Sequence, residues 1–162
     1  MNTVSYSNET VQNFITSEFV PLKMEVSFTR PYDLMDRYMV KWTPTLLIED
    51  AEGGVQHSMT GFVPPDDLLA HLKFGKGMFH FNAGRFEEAS SWFTRVIEEH
   101  PESGPAPEAV FYAGVAGYRS THNASHLRAA YDKLTENYPE SEWSRRAVPY
   151  SQIERKKEPS RA

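Results

Sequence analysis

The spacing of apolar positions changes several times along the chain, and each change marks an element. Between Ser7 and Ser17, Val11, Phe14 and Ile15 stand at i, i+3 and i+4, the spacing of one helix face. Ser7 or Asn8 can cap that helix by offering a side-chain oxygen to an orphan N–H of the first turn. From Phe19 to Phe28 the period falls to two, with Val20, Leu22, Met24 and Val26 on one side, which predicts a strand. Thr29-Arg30-Pro31 then opens a helix predicted to reach about Met39, with Leu34, Met35 and Tyr38 inward. Thr45-Leu46-Leu47-Ile48 reads as a strand headed by Pro44, a place where a missing N–H is tolerated. A turn over Glu49–Gly54 leads into a further strand, Val55 to Phe62. Pro65-Asp66-Asp67 begins a long helix in which Leu68, Leu69, Leu72, Met78, Phe79 and Phe81 keep a helical period to about Asn82. Gly75 and Gly77 interrupt it at about 1 kcal/mol each against Ala, which predicts a close helix–helix approach.

Beyond this helix the pattern repeats. Gly77, Gly84, Phe86, Ala89, Phe93 and Pro101 are answered by Gly114, Tyr118, Leu127, Tyr131 and Pro139. Ala89 to Pro101 and Leu127 to Pro139 are both 12 residues; Phe93 to Pro101 and Tyr131 to Pro139 are both 8. Small residues let paired helices approach, aromatics fill the groove between them, and Pro ends the second helix. This resembles the tetratricopeptide repeat, although His80 stands where an aromatic is usual. The Pro-to-Pro spacing is 38, about four longer than the standard repeat, with one extra residue placed in the inner turn and three in Gly104-Pro105-Ala106-Pro107. An array of generic helical hairpins is the alternative. Ser141 to Ile153, with Trp143, Ala147 and Ile153, predicts a last helix covering the exposed face of the final repeat. The charged run from Glu154 to Pro159 predicts a disordered tail.

The order of strand, turn, strand, Gly and helix, with Trp42-Thr43-Pro44 at its head, resembles the second half of the thioredoxin fold over roughly Val4 to Lys73. Taken alone, Thr43–Pro44 reads as an ordinary trans bond; the resemblance implies a cis one. It also implies that backbone groups beside this proline pair with an extended peptide, so Trp42, Thr43 and Pro44 are candidate peptide-binding residues. Trp42 is equally readable as core. Against the family, the chain begins partway along the active-site helix, and the family's second strand has no counterpart. Val20–Val26 and Thr45–Ile48 would then each keep an open edge. Dimerisation through these strands, a strand borrowed from a partner, or direct pairing of the two would resolve this. The expected fold is α/β plus α, a partial thioredoxin-like sheet fused to a tetratricopeptide-like helical array. Its expected division is residues 1–74, 75–153 and a tail at 154–162, with the Pro65 helix serving both folded parts.

Composition narrows the chemistry. Among 162 residues there is no cysteine, so this chain has no thiolate for thiol–disulfide exchange and no cysteine for a metal or cluster. The net charge of -5 lacks the basic excess of a nucleic-acid surface. No apolar run approaches a membrane span, and Met1–Tyr6 shows no signal peptide, which predicts a cytoplasmic protein. His122 and His126 lie four apart but lack the Glu of a zinc helix and read as surface loop residues. Asp66-Asp67, Glu87-Glu88 and Glu98-Glu99 read as first-turn or exposed-face acids, with no catalytic role. No cofactor, metal or catalytic residue is expected. Two functions follow. One is a non-catalytic module that binds a protein or peptide. The other is the remainder of a thiol–disulfide oxidoreductase whose active-site segment is missing.

Overall fold

The computed structural model describes residues 4–25 and 33–154, except the side chains of 33 and 34. Its elements in order are α1 (Glu9–Glu18), α2 (Asp33–Arg37), β1 (Thr45–Glu49), β2 (Val55–Thr60), α3 (Pro65–Asn82), α4 (Phe86–Glu99), α5 (Ala106–Thr121), α6 (Ser125–Asn137), α7 (Glu142–Arg146) and a 3₁₀ turn (Val148–Gln152). A small antiparallel hairpin is thus followed by a helical array, the α/β-plus-α architecture expected.

Asn8 caps α1, its Oδ1 accepting from the Val11 N–H at 3.1 Å. Val11 is fully buried in a first core with Ile48, Met59, Leu68, Leu69 and Leu72. A second core gathers Ala70, Phe74, Ala89, Phe93, Val96, Val110 and Leu134 from α3 to α6. Helix α3 supplies both cores, Leu68, Leu69 and Leu72 facing one and Ala70 and Phe74 the other. A helix apolar around most of its circumference must be covered on most sides. Its two inner glycines divide the same way. A Cβ on Gly75 would strike Ile48 of β1, whereas one on Gly77 would sit 2.5 Å from the Phe93 ring of α4. The first glycine therefore admits the sheet and only the second admits a helix, a correction to the helix–helix role expected of both.

Helices α3 to α6 pack in sequence, each on the next. Gly114 repeats the part of Gly77: a Cβ there would lie 2.5 Å from Ala130 Cβ and 3.0 Å from the His126 carbonyl of α6. Each glycine meets a residue 16 positions on, Phe93 in one hairpin and Ala130 in the other. Both inner turns, 83–85 and 122–124, are three residues long, so the extra residue expected in the inner turn lies elsewhere. Helix α5 runs 7 residues past Gly114 where α3 runs 5 past Gly77, and α6 has 13 residues where α4 has 14, which places the net extra residue in α5.

Three expected elements differ. Residues 20–25 form neither helix nor strand, and Val20 and Leu22 are 97% and 83% exposed; residues 26–28 of that expected strand lie outside the described residues. Alternation supplies an apolar face but no neighbour, and unpaired backbone groups hold a segment in a sheet only beside another strand. Val20–Glu25 and β1 therefore do not pair directly. The helix expected to reach Met39 is Asp33–Arg37, closed by Met39 at φ 52° and a Val40 N–H to Met35 carbonyl bond of 2.8 Å; residues 29–32 again lie outside. Met35 is buried, whereas Tyr38 is only half-buried, its hydroxyl donating to Glu49 at 2.8 Å. The single last helix is split into α7 and the 3₁₀ turn, because Pro149 lacks an N–H and clashes with the carbonyl four residues back. Trp143, Ala147 and Tyr150 still close the end of the second core. The expected disordered tail falls outside the described residues after Glu154.

Candidate functional site

The open end of the hairpin carries the residues singled out from sequence. The Thr43–Pro44 bond is cis, as the resemblance implied. The Gly61 N–H donates to the Pro44 carbonyl at 2.8 Å, and Thr45 Oγ1 donates to the Trp42 carbonyl at 2.7 Å. These two bonds bring Trp42, Thr43, Pro44 and the residue after Gly61 to one end of the sheet. Trp42 is 68% exposed and Phe62 58% exposed. The core reading of Trp42 is therefore excluded. Phe62 had no signal in the sequence, since only the turn chemistry at Gly61 (φ 97°) places it beside Pro44.

The pairing register shows which backbone groups β1 has to spare. Thr45 pairs with Thr60, Leu46 with Met59, Leu47 with Ser58 and Ile48 with His57. In an antiparallel pair, hydrogen-bonded and non-hydrogen-bonded positions alternate. The Gly61–Pro44 bond sets the phase, so Leu46 and Ile48 turn their N–H and C=O toward β2, and Thr45 and Leu47 turn theirs away. Among the described residues the sheet has two strands only, so nothing pairs with that outer edge. On the core face Leu46, Ile48 and Met59 join the first core. The arrangement offers an unpaired strand edge, an apolar face continued by exposed side chains, and two aromatic rings at one end.

A second polar constellation was not legible in the sequence. Lys73 and His100 are only 4% and 5% exposed. His100 Nδ1 lies 2.7 Å from Asp66 Oδ1, and His100 Nε2 lies 2.7 Å from Lys73 Nζ. Lys73 can only donate and a carboxylate only accepts, so His100 carries its proton on Nδ1. Lys73 also donates to Glu99, which is held by Arg95 as well. Burial raises the Glu99 pKa, but these two cationic donors outweigh it and leave it below the usual carboxylate value. The Gly104 N–H donates to Asp67 at 3.0 Å. Asp66 and Asp67 stand in the first turn of α3 and Glu99 on an exposed face, as read from sequence, and they also fasten the start of α3 to the end of α4. A cleft of about 420 Å³ opens beside them, lined by Asn8, Thr10, Pro65, Asp66, Leu69, Lys73, Glu99 and His100. Asp66, His100, Lys73 and Glu99 are linked in one chain of bonds there, and no buried side-chain N or O among the described residues lacks a partner. This is a clasp between helices.

His57 of β2 and His71 of α3 stack at a centroid distance of 5.1 Å, with Nε2 and Nδ1 2.8 Å apart. Burial, with His71 as a lesser charge effect, drives the His57 pKa down to about 4, and burial lowers that of His71. Both are neutral at pH 7. His122 ends α5 in the left-handed region at φ 55°, and His126 lies in the first turn of α6 with its ring over Gly117, so it is not a loop residue. Among the described residues no three His, Cys, Asp or Glu are grouped to hold a metal. No helix among them is long and apolar enough to cross a membrane.

Residues 2–76 match the family model of a thioredoxin-like domain. The match takes in α1, the hairpin, the cis-proline end and most of α3, and stops short of the remaining helices. Residues 2–76 are thus similar to a thioredoxin-like domain, and a helical array follows them. No curated protein and no solved structure matches it.

Proposed function

We propose that this chain is a non-catalytic protein-interaction module, with a thioredoxin-like unit that takes an extended peptide along the outer edge of β1 and a tetratricopeptide-like array stacked behind it. The observation that carries this reading is the unpaired edge of Thr45 and Leu47, beginning at Pro44 and flanked by exposed Trp42 and Phe62. Strand addition draws affinity from main-chain hydrogen bonds and specificity from pockets for alternate side chains. Aromatic rings at one end add large apolar area at small entropic cost. A chain without cysteine has no thiolate to attack a disulfide, so binding, rather than thiol exchange, is the role its residues support. The two glycine-centred hairpins, with partners at equal spacing, support the repeat reading of the array.

The test is selection of a displayed random-peptide library on the immobilised chain, with binding of selected peptides then measured by calorimetry. Leu47→Pro removes an N–H that points away from β2, so it spares the hairpin ladder while blocking the outer edge. Selected peptides should bind the parent and lose at least tenfold in affinity to Leu47→Pro and to Trp42→Ala. Equal binding to all three proteins would refute the site.

A further inference from the structure

We infer that the strand completing β1 is residues 20–25 of a second copy of this chain, exchanged reciprocally to make a dimer. This rests on the proposed reading of the β1 outer edge as a strand-accepting site, and names its occupant. The first observation is a mutual deficit. The outer N–H and C=O groups of Thr45 and Leu47 have no partner strand among the described residues. Val20 and Leu22 are the most exposed large apolar side chains described, at 97% and 83%, and Met24 continues their alternation. The segment therefore has the period of a strand with one apolar face and lacks only a neighbour. β1 has five residues, and Val20–Met24 is five residues long.

Pro21 decides the geometry. In a strand, side-chain direction and N–H direction both alternate with period two. Val20, Leu22 and Met24 on the core face, beside Leu46 and Ile48, place Pro21, Lys23 and Glu25 beside Thr45, Leu47 and Glu49. In a parallel pair, a residue opposite one that faces its neighbour turns its own backbone groups outward. Pro21 then faces water, where its missing N–H leaves no gap, and Val20, Leu22 and Met24 bond to β1. The added strand presents an outer edge interrupted by proline, which stops further strands from joining. Each copy has one deficit of each kind, so two copies related by a two-fold axis satisfy all four and the assembly closes.

The chain has no cysteine, so disulfide trapping is unambiguous. Lys23→Cys and Leu47→Cys place opposed side chains within bridging distance in the exchanged pair. Sedimentation equilibrium of the full chain should give twice 18.5 kDa. A one-to-one mixture of the two single variants should oxidise to a mixed dimer well above the yield of either variant alone. Leu22→Lys, at a position exposed in the single chain, should keep the helical circular dichroism and shift the dimer toward monomer at least tenfold. A monomer at several hundred micromolar overturns the inference, as does an intramolecular disulfide formed by monomer carrying both cysteines. If the chain is monomeric yet selected peptides still bind in a Leu47-dependent way, the occupant is wrong and the site stands. If neither dimer nor peptide forms, the site itself falls.

Discussion

Acid should destabilise this protein through His57 before most carboxylates titrate. The imidazole sits between the His71 and Phe74 rings, 5.1 Å from each centroid, with Nε2 engaged by His71. In the unfolded chain it takes a proton near pH 6.5, whereas in the folded chain burial delays this to about 4. Between those values the unfolded state binds more protons than the native state, so stability falls as pH falls through this window. Integrating the two titrations gives a loss of about 2 kcal/mol by pH 5 and about 3 kcal/mol by pH 4 relative to pH 8. His71 is shifted in the same direction and adds to the effect. The perturbation is His57→Phe, which keeps an aromatic ring against Phe74. It leaves His71 Nδ1 without its partner, at about 1–3 kcal/mol at neutral pH. The assay is urea unfolding of parent and variant at pH 8, 6 and 5, followed by far-ultraviolet circular dichroism. Acid effects of groups common to both proteins, such as Glu99, cancel in the comparison. The parent should lose about 2 kcal/mol more than the variant between pH 8 and pH 5. Parallel stability–pH curves would refute the reasoning, since they would mean that His57 is as easily protonated folded as unfolded.

Three further outcomes are expected from the same measurement. Phe93→Ala empties the centre of the second core, where Phe93 is fully buried against Phe74 and Tyr112, and should cost about 3–5 kcal/mol. Gly114→Ala gains about 1 kcal/mol of helix propensity but drives a methyl against Ala130 and the His126 carbonyl, so the net effect should be a loss of about 1–2 kcal/mol; a stabilised variant would show that α5 and α6 are not in close approach. Burial pushes the Glu108 carboxyl up to about 7, Arg146 opposing and Glu142 assisting. Its protonated form favours folding below pH 4.5, and that advantage is lost as pH rises to about 7, so Glu108→Gln should stabilise at pH 8 by about 1–2 kcal/mol after allowance for solvent screening, and not at pH 4.

Local chemistry made much of this molecule readable without coordinates. Asn8 caps α1, Pro65 opens α3 and Asn82 ends it, because caps and prolines act within one turn of the backbone. The helical hairpins were legible because 3.6-residue periodicity and small residues at close crossings recur along the chain itself. Thr45–Ile48 and Val55–Thr60 were legible because they pair across a short turn. The tertiary structure alone decided the rest. Alternation over Val20–Glu25 states which side would face a core, but a strand exists only beside another strand, and none lies beside it among the described residues. Asp66, Lys73 and His100 are up to 34 positions apart, and no local pattern brings them together. Trp42 could be read as core or surface until the hairpin fixed its direction, and Phe62 joined it only through one hydrogen bond from Gly61. Caps, turns and periods depend on neighbours in sequence; edge exposure, burial of charge and the meeting of distant side chains depend on which surfaces the packed elements leave uncovered.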